Sequence, residues 1–412
     1  MTATSRKIAV SGSNQRLVTL LVMLTLIVVV VGLFTPVVYY VMPQTLDYPW
    51  HIESARRIAE EGQYRLAHPA FQWLVILVKQ VLFISDYTLA GHITAVLCYV
   101  ALSLILFGML LRVLSSLSVE RRAVASGLLA LGLMIAAPVT LFRPDTSFYW
   151  GYIFITVYHN PTYILLQPIA LLLFWQIITI LRKERVSVSD GAIVAVLTAL
   201  STLSKPNYTV VLLPALLLIV ASQVYRTRRM GLVWLVAYVF APAVVILAIQ
   251  FNFNFTNGPR QAQIMLVPFH FFANRPSPIW VLPKFILSIL FPLCVYLGYW
   301  RSARRDLPLN VAWLMFAIGA AYAYLLVEGS NGRVAGTGNW LWSAGIASFV
   351  LFVTSTRFFF AQNQARLAHS HPRAYPRAFW VGSAALLLHL IGGVIWFSLY
   401  APAWQIPWGQ FW

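Results

Sequence analysis

Long apolar segments recur along the whole sequence and are separated by polar stretches that are mostly short. A helix of about 20 apolar residues spans the hydrocarbon core of a membrane. Eleven segments reach or approach that length, at roughly 17–41, 87–112, 123–141, 160–181, 190–204, 208–225, 231–250, 280–300, 308–327, 339–359 and 378–400. We therefore predict an all-α polytopic membrane protein of about 11 transmembrane helices, and a single integral membrane domain over residues 1–412 with no separate soluble domain.

Composition agrees with this class and excludes nucleic-acid binding. Hydrophobic residues make up 60% of the chain and charged residues 10%, whereas a soluble domain carries about 25% charged residues. The net charge of +18 does not indicate nucleic acid as a partner, because the basic residues fall in short clusters between apolar segments. Both cysteines, Cys98 and Cys294, lie within apolar segments, so we expect neither a metal site nor a disulfide from them.

The distribution of positive charge predicts the topology. If the N-terminus lies in the cytoplasm, the polar segments that face the cytoplasm hold 19 of the 29 Lys and Arg residues. The positive-inside rule predicts such an excess on that side. Residues 70–84 would break this alternation if they crossed the membrane, so we predict an amphipathic helix on the outer surface there, and a second at 49–62. The C-terminus and a large first loop (42–86) then face outwards, and we expect a bacterial plasma membrane.

Acidic residues concentrate in this first loop. The stretch from Leu46 to Phe71 holds 4 of the 11 acids in the chain. Asp47 comes first, about six residues after the first segment, and we predict that it is a catalytic general base. The aromatic residues Tyr48 and Trp50 are expected to wall it from water. His51 follows four residues later, on the same helical face, as a second catalytic candidate. A solvated loop acid and an interfacial histidine are the alternatives.

Three further clusters supply candidate substrate-binding residues. Loop 142–159 and the start of the next segment are rich in Tyr and Trp, which stack on sugars but also form interfacial belts. The polar tip between segments 190–204 and 208–225 holds a lysine that either faces a cavity or snorkels to the headgroups. A glycine-rich stretch after residue 327 forms a third group, with a plain loop as its alternative. The candidates are Asp145, Tyr152, His159, Asn160, Lys205, Asn207, Glu328, Arg333, Asn339 and Trp340.

Two of these residues have specific expected roles. Asn160-Pro161 is a helix-start signal, with Asn160 as the N-cap. Arg333 is a candidate for binding a phosphate, because its guanidinium is forked. Arg260 and Arg275, in loop 251–279, are rival candidates for the same phosphate.

The chain resembles the GT-C superfamily of membrane glycosyltransferases. The resemblance rests on Asp47 at the start of a large first outer loop, on His68-Pro69 before an apolar stretch, and on Lys205-Pro206 between two short spans. It implies transfer of a sugar from a polyprenyl-phosphate carrier to a glycan, lipid or protein acceptor on the outer face, as in cell-envelope glycan biosynthesis. It also implies that Asp47 is the base and that Lys205 and Arg333 bind the lipid phosphate.

The metal requirement departs from the pattern of this superfamily. Many members carry paired acids in the first loop, and some of them hold a divalent metal there. Here Tyr48 follows Asp47, so we expect no metal and no other cofactor.

Three other functions are compatible with the sequence. A transporter or flippase of lipid-linked sugars would place polar residues and broken helices at mid-membrane. A polysaccharide polymerase or ligase would depend on Arg260 and Arg275. A non-catalytic membrane scaffold would tolerate replacement of Asp47.

Overall fold

The computed structural model describes residues 3–45, 47–64, 66–140, 151–253, 262–270, 278–330, 333–334, 338–369 and 375–400. Within these ranges, eight helices are long and apolar enough to cross a membrane, or nine if one bent pair counts as a single span. The chain is therefore a predominantly helical integral membrane protein, which confirms the predicted class.

Helices form almost all of the described structure. In chain order they are α1 (Ala3–Pro36), α2 (Asp47–Glu61), α3 (Ala70–Val81), α4 (Tyr87–Val113), α5 (Val119–Ile135), α6 (Pro161–Leu181), α7 (Val188–Ser204), α8 (Asn207–Thr227), α9 (Val233–Phe251), α10 (Val281–Ser288), α11 (Leu290–Gly298), α12 (Trp300–Ala303), α13 (Leu307–Leu325), α14 (Leu341–His369) and α15 (Arg377–Tyr400). Three strands complete the set: β1 (Ala262–Leu266), β2 (Leu326–Ser330) and β3 (Arg333–Val334).

All eleven predicted apolar segments lie mainly on helices, and eight or nine spans are found among the described residues. α5 and α7 have only 17 residues each. α5 ends at Ile135, six residues before the predicted end, since Pro138 disfavours the helical conformation at Ala137. α10 and α11 are bent by 68°, because Pro292 has no N–H to donate to the carbonyl four residues earlier.

The two helices predicted within the first loop are present as α2 and α3. α2 turns Tyr48, Ile52 and Ala55 into the protein, and α3 buries Phe71 and Val75. The two helices pack against each other and against α4. The stretch before α4 therefore forms a packed cover over one end of the bundle.

A small antiparallel sheet adds to this predominantly helical fold. β1 pairs with β2, which pairs with β3, although the sequence predicted loops in both regions. β2 follows directly from α13, and Ile264 of β1 lies opposite Glu328 of β2. Each strand is too short to show a strand pattern by itself, and β1 lies 60 residues before β2. The sheet sets the position of Glu328.

Non-helical backbone lies deep in the protein beside the bent pair. Every residue from 151 to 160 is buried, and such backbone needs internal hydrogen-bond partners in a membrane protein. Ser288 Oγ accepts from the N–H of Ile153 at 2.9 Å. Thr156 Oγ1 donates to the carbonyl of Ala136 at 2.7 Å. Side chains thus satisfy the backbone groups that these broken elements leave unpaired.

His389 of α15 joins the two broken elements. Its Nδ1 lies 2.7 Å from the carbonyl oxygen of Ala137 and must donate to it. Its Nε2 then accepts from the N–H of Phe291, at 3.3 Å. A Cβ on Gly392 would come within 2.8 Å of the carbonyl oxygen of Pro138. Glycine at this position lets α15 approach closely enough for the histidine to reach both partners.

Candidate active site at the start of α2

Asp47 is the first residue of α2 and lies at the centre of the candidate site. Asp47 is half-buried, and His51, one turn later, is buried. The two aromatic neighbours do not wall the carboxylate as predicted. Tyr48 packs on α4, where its hydroxyl donates to the carbonyl of Thr88 at 3.4 Å. Trp50 is 48% exposed. The environment of Asp47 is therefore made by residues from other parts of the chain.

Arginines on the outer side of α2 bind the other acids of this stretch. Arg56 hydrogen-bonds to Glu53, Glu60 and Glu61. Arg57 also pairs with Glu53, one turn earlier on the helix, at 2.7 Å. These hydrogen bonds lower the pKa of Glu53 to about 2. Three of the four clustered acids thus stabilise a helix, which leaves Asp47 as the candidate for chemistry.

Asn160 connects Asp47 to the start of α6. Its Nδ2 donates to Asp47 Oδ2 at 2.8 Å. Its Oδ1 accepts from the N–H of Tyr163 at 3.0 Å and from the hydroxyl of Thr162 at 2.8 Å. The predicted N-cap is confirmed, and the same side chain also holds the carboxylate of α2.

Lys205 lies on the other side of Asn160. The lysine follows α7 and is only 8% exposed, so it faces the interior and does not snorkel. Its Nζ is 3.5 Å from Asn160 Oδ1 and from Thr162 Oγ1, and 4.3 Å from the ring centroid of Trp342. Burial lowers the pKa of Lys205 to about 8, against the opposing effect of Asp47. The ammonium remains mostly charged at neutral pH.

Three histidines surround this pair of charges: His51 and His159 are buried, and His68 is half-buried. The rings of His51 and His68 are 6.1 Å apart, and His159 lies 5.9 Å from Trp342. Burial is the main cause that lowers the pKa of His68 to about 3 and of His159 to about 4. It also lowers the pKa of His51 well below its ordinary value. All three are therefore neutral at pH 7. We call Asp47, His51, His68, His159, Asn160 and Lys205 the Asp47 cluster.

A cavity of about 530 Å³ opens beside the cluster. His68 and Lys205 line it from the cluster side. Its opposite wall is apolar and comes mainly from α9 and β1, including Val244, Leu247, Phe251 and Ile264. A cavity with one charged end and one apolar wall suits an amphipathic ligand.

The rim of this cavity brings together the remaining clusters found in the sequence. Asn207 Nδ2 donates to the carbonyl of Asn339 at 2.9 Å and to Ser343 Oγ at 3.0 Å. Asn339 Nδ2 donates to Glu328 Oε2 at 2.6 Å. Trp340 lines the cavity next to them. Segments far apart in the chain thus meet at one site.

Most of the predicted site residues converge here. The structure brings together Asp47, His51, His159, Asn160, Lys205, Asn207, Glu328, Asn339 and Trp340. Tyr152 packs instead against Lys284 of α10, whose Nζ is 5.2 Å from the ring centroid. Asp145, Arg260 and Arg275 lie outside the described residues, and so does the side chain of Arg333, although its backbone forms β3.

Several site residues were missed. His68 was noted only as part of a His-Pro motif, yet it lines the cavity. Gln72 lies on the buried face of α3, and its Nε2 is 2.6 Å from His51 Nδ1. A glutamine inside an apolar helix was a usable signal. No feature of the sequence marked Trp342, because aromatic residues occur throughout the chain.

Within the described part of the chain, no group of three or more His, Cys, Asp or Glu side chains could hold a metal ion. The chain matches no protein-family model, no curated protein and no solved structure. We therefore infer the function from the geometry of the Asp47 cluster.

Proposed function

We propose that the protein is a glycosyltransferase of the GT-C type, which moves a sugar from a polyprenyl-phosphate carrier to a glycan, lipid or protein acceptor. One observation carries this proposal. Asn160 holds a carboxylate, Asp47, on one side and lies beside an ammonium, Lys205, on the other. Glycosyl transfer from a phosphate donor needs these two groups close together: a base for the acceptor and a cation for the leaving phosphate.

The proposed reaction is a single displacement. The acceptor hydroxyl attacks the anomeric carbon of the donor sugar while Asp47 takes the hydroxyl proton. The bond between that carbon and the phosphate oxygen breaks, and its electron pair goes to the phosphate. Lys205 stabilises the negative charge that develops there. The configuration at the anomeric carbon inverts.

The surrounding residues would position both substrates. Asn160 orients the carboxylate of Asp47, since it donates to one of its two oxygens. The apolar wall of the cavity suits the hydrocarbon of a lipid carrier, and the polar rim around Glu328, Asn339 and Trp340 suits a sugar. Because Lys205 supplies the positive charge, the reaction proposed here requires no metal.

The location of the reaction also belongs to this proposal. We place the Asp47 cluster on the outer face of a bacterial plasma membrane, with the N-terminus in the cytoplasm and the C-terminus outside. The support is the alternation of basic clusters along the sequence.

Transport of a lipid-linked sugar is the second candidate. The 68° bend between α10 and α11 favours it, because transporters bind substrates at discontinuous helices. This bend lies beside the buried 151–160 segment, which Ser288 of α10 contacts. A polymerase or ligase would depend on Arg260 and Arg275.

The test is transfer of radiolabelled sugar from a panel of polyprenyl-phosphate donors by purified protein in lipid. Wild type is compared with Asp47→Asn and, as a matched control, with Glu53→Gln on the same helix. We expect wild type and Glu53→Gln to transfer and Asp47→Asn to lose activity while remaining folded. Equal transfer by Asp47→Asn would move the base to Glu328 or Asp145. No transfer by wild type from any donor would overturn the proposal, and uptake into vesicles would then test transport.

A further inference from the structure

A second polar cavity lies at the other end of the bundle from the Asp47 cluster. The first apolar span runs from Asn14 to Gln44, because α1 continues through a π turn (Val37–Val41) and a 3-10 turn (Met42–Gln44). Arg16 precedes its end by 28 residues, or about 42 Å along a helix, which matches the thickness of a bilayer with its headgroup regions. Asp47 follows Gln44 by three residues. Arg16 therefore lies at the headgroup level of the opposite membrane surface.

α1 and α5 enclose this cavity between them. Its volume is about 560 Å³, and each helix contributes one arginine to it, Arg16 from α1 and Arg122 from the first turn of α5. Thr19 adds a hydroxyl, while Leu20 and Met23 line the side that is deeper in the membrane. We call it the Arg16–Arg122 pocket. It combines two cations near the surface with an apolar side below them.

Neither arginine is neutralised among the described side chains. The ion pairs of that part of the chain involve other residues. Arg122 Nε is buried and has no hydrogen-bond partner. Glu120 lies two positions earlier on α5, and residues with this spacing do not face each other on a helix. A buried guanidinium N–H without an acceptor is unfavourable, so this pocket is suited to an anion.

The surroundings of the pocket indicate which anion. Leu17 and Leu21, which neighbour Arg16 on α1, are each 53% exposed. In an integral membrane protein, exposed leucines at this depth contact lipid chains. The pocket is thus continuous with the lipid-facing surface. A guanidinium binds phosphate in a bidentate geometry, and an acyl chain can extend along the leucines.

We propose that the Arg16–Arg122 pocket binds the phosphate of an anionic phospholipid from the membrane leaflet opposite the Asp47 cluster. This site is separate from the proposed transfer reaction. It is a lipid-binding site of the folded protein whether or not the protein is a glycosyltransferase.

The experiment measures lipid retention by the full chain. Protein is reconstituted in vesicles of phosphatidylcholine with one quarter phosphatidylglycerol and then extracted into mild detergent. The lipids that remain bound are counted by native mass spectrometry. The variants are Arg16→Gln, Arg122→Gln and their combination. Arg121→Gln is the matched control, since Arg121 is the exposed neighbour on the same turn of α5.

Wild type is expected to retain phosphatidylglycerol in preference to phosphatidylcholine. A charge-assisted hydrogen bond to the lipid phosphate corresponds to about a tenfold preference, so each single variant should lose about tenfold and the double variant at least that much. Arg121→Gln should change the preference less than twofold. An equal loss in Arg121→Gln would show general surface attraction and overturn the proposal, as would retention by the double variant. Displacement of the lipid by millimolar inorganic phosphate would overturn it too, since the pocket would then be a site for free phosphate.

Discussion

Replacing Asn160 with serine separates its two roles at the proposed active site. Serine caps a helix about as well as asparagine, so Asn160→Ser keeps an acceptor for the N–H of Tyr163. Its shorter side chain cannot reach Asp47, and the 2.8 Å hydrogen bond to Oδ2 is lost. The variant should therefore fold normally and hold the carboxylate of Asp47 poorly.

The size of the effect follows from the bond that is lost. A hydrogen bond to a charged group contributes about 1.5–3 kcal/mol. If the transition state loses all of this stabilisation and the ground state loses none, the rate of sugar transfer falls roughly 10- to 150-fold. The change of cap should alter the free energy of unfolding by about 1 kcal/mol or less, and loss of the hydrogen bond to Asp47 should lower it by about 1.5–3 kcal/mol.

The assay compares the rate of sugar transfer with the denaturant midpoint of each variant. Asp86→Ser is the matched control, because Asp86 caps α4 by accepting from the N–H groups of Thr88 and Leu89, without contact to Asp47. The Asp86→Ser variant should transfer sugar at the rate of wild type. Transfer by Asn160→Ser within twofold of wild type would refute the positioning role. A fall of equal size in Asp86→Ser would show that capping alone is responsible.

Two further predictions address the charge and the packing near the site. Burial lowers the pKa of Lys205 to about 8, and only the protonated form attracts phosphate, so donor affinity should hold below pH 8 and fall as the pH rises through it. Lys205→Arg should move this loss to higher pH, since a guanidinium keeps its proton. A KM that rises with pH identically in both proteins would contradict this. Gly345→Ala would drive a Cβ into the ring of Phe154 and should cost about 1–3 kcal/mol of unfolding free energy. Gly108→Ala has nothing within 4 Å, and a denaturant titration should show it at least as stable as wild type.

The helices could be predicted because each is encoded locally. The length of an apolar segment decides whether a helix can cross a membrane, and the dipeptide Asn160-Pro161 is enough by itself to mark the start of α6. The sheet could not be predicted, because the pairing of Ile264 with Glu328 depends on where α13 ends. The bend at Ile289 was missed as well, although Pro292 was visible within an apolar segment.

The individual site residues were predictable for a similar reason. A lysine between two short apolar segments, or an acid just beyond a span, stands out against an apolar background. Their convergence did not follow from the sequence: Asn160 is 113 residues from Asp47 and 45 from Lys205. Polar residues inside helices, such as Gln72, become informative only when the buried face is known.

His389 has a consequence for how the protein is made. It lies on α15, the last described helix, yet its ring satisfies a carbonyl after α5 and an N–H at the break between α10 and α11. Because synthesis follows chain order, α15 leaves the ribosome after α1–α14. Until then the nascent bundle holds two exposed chain breaks without their partner. Closure of the interior around these two breaks must therefore wait until α15 has been synthesised, and a chain that stops before α15 would leave both backbone groups without their partner.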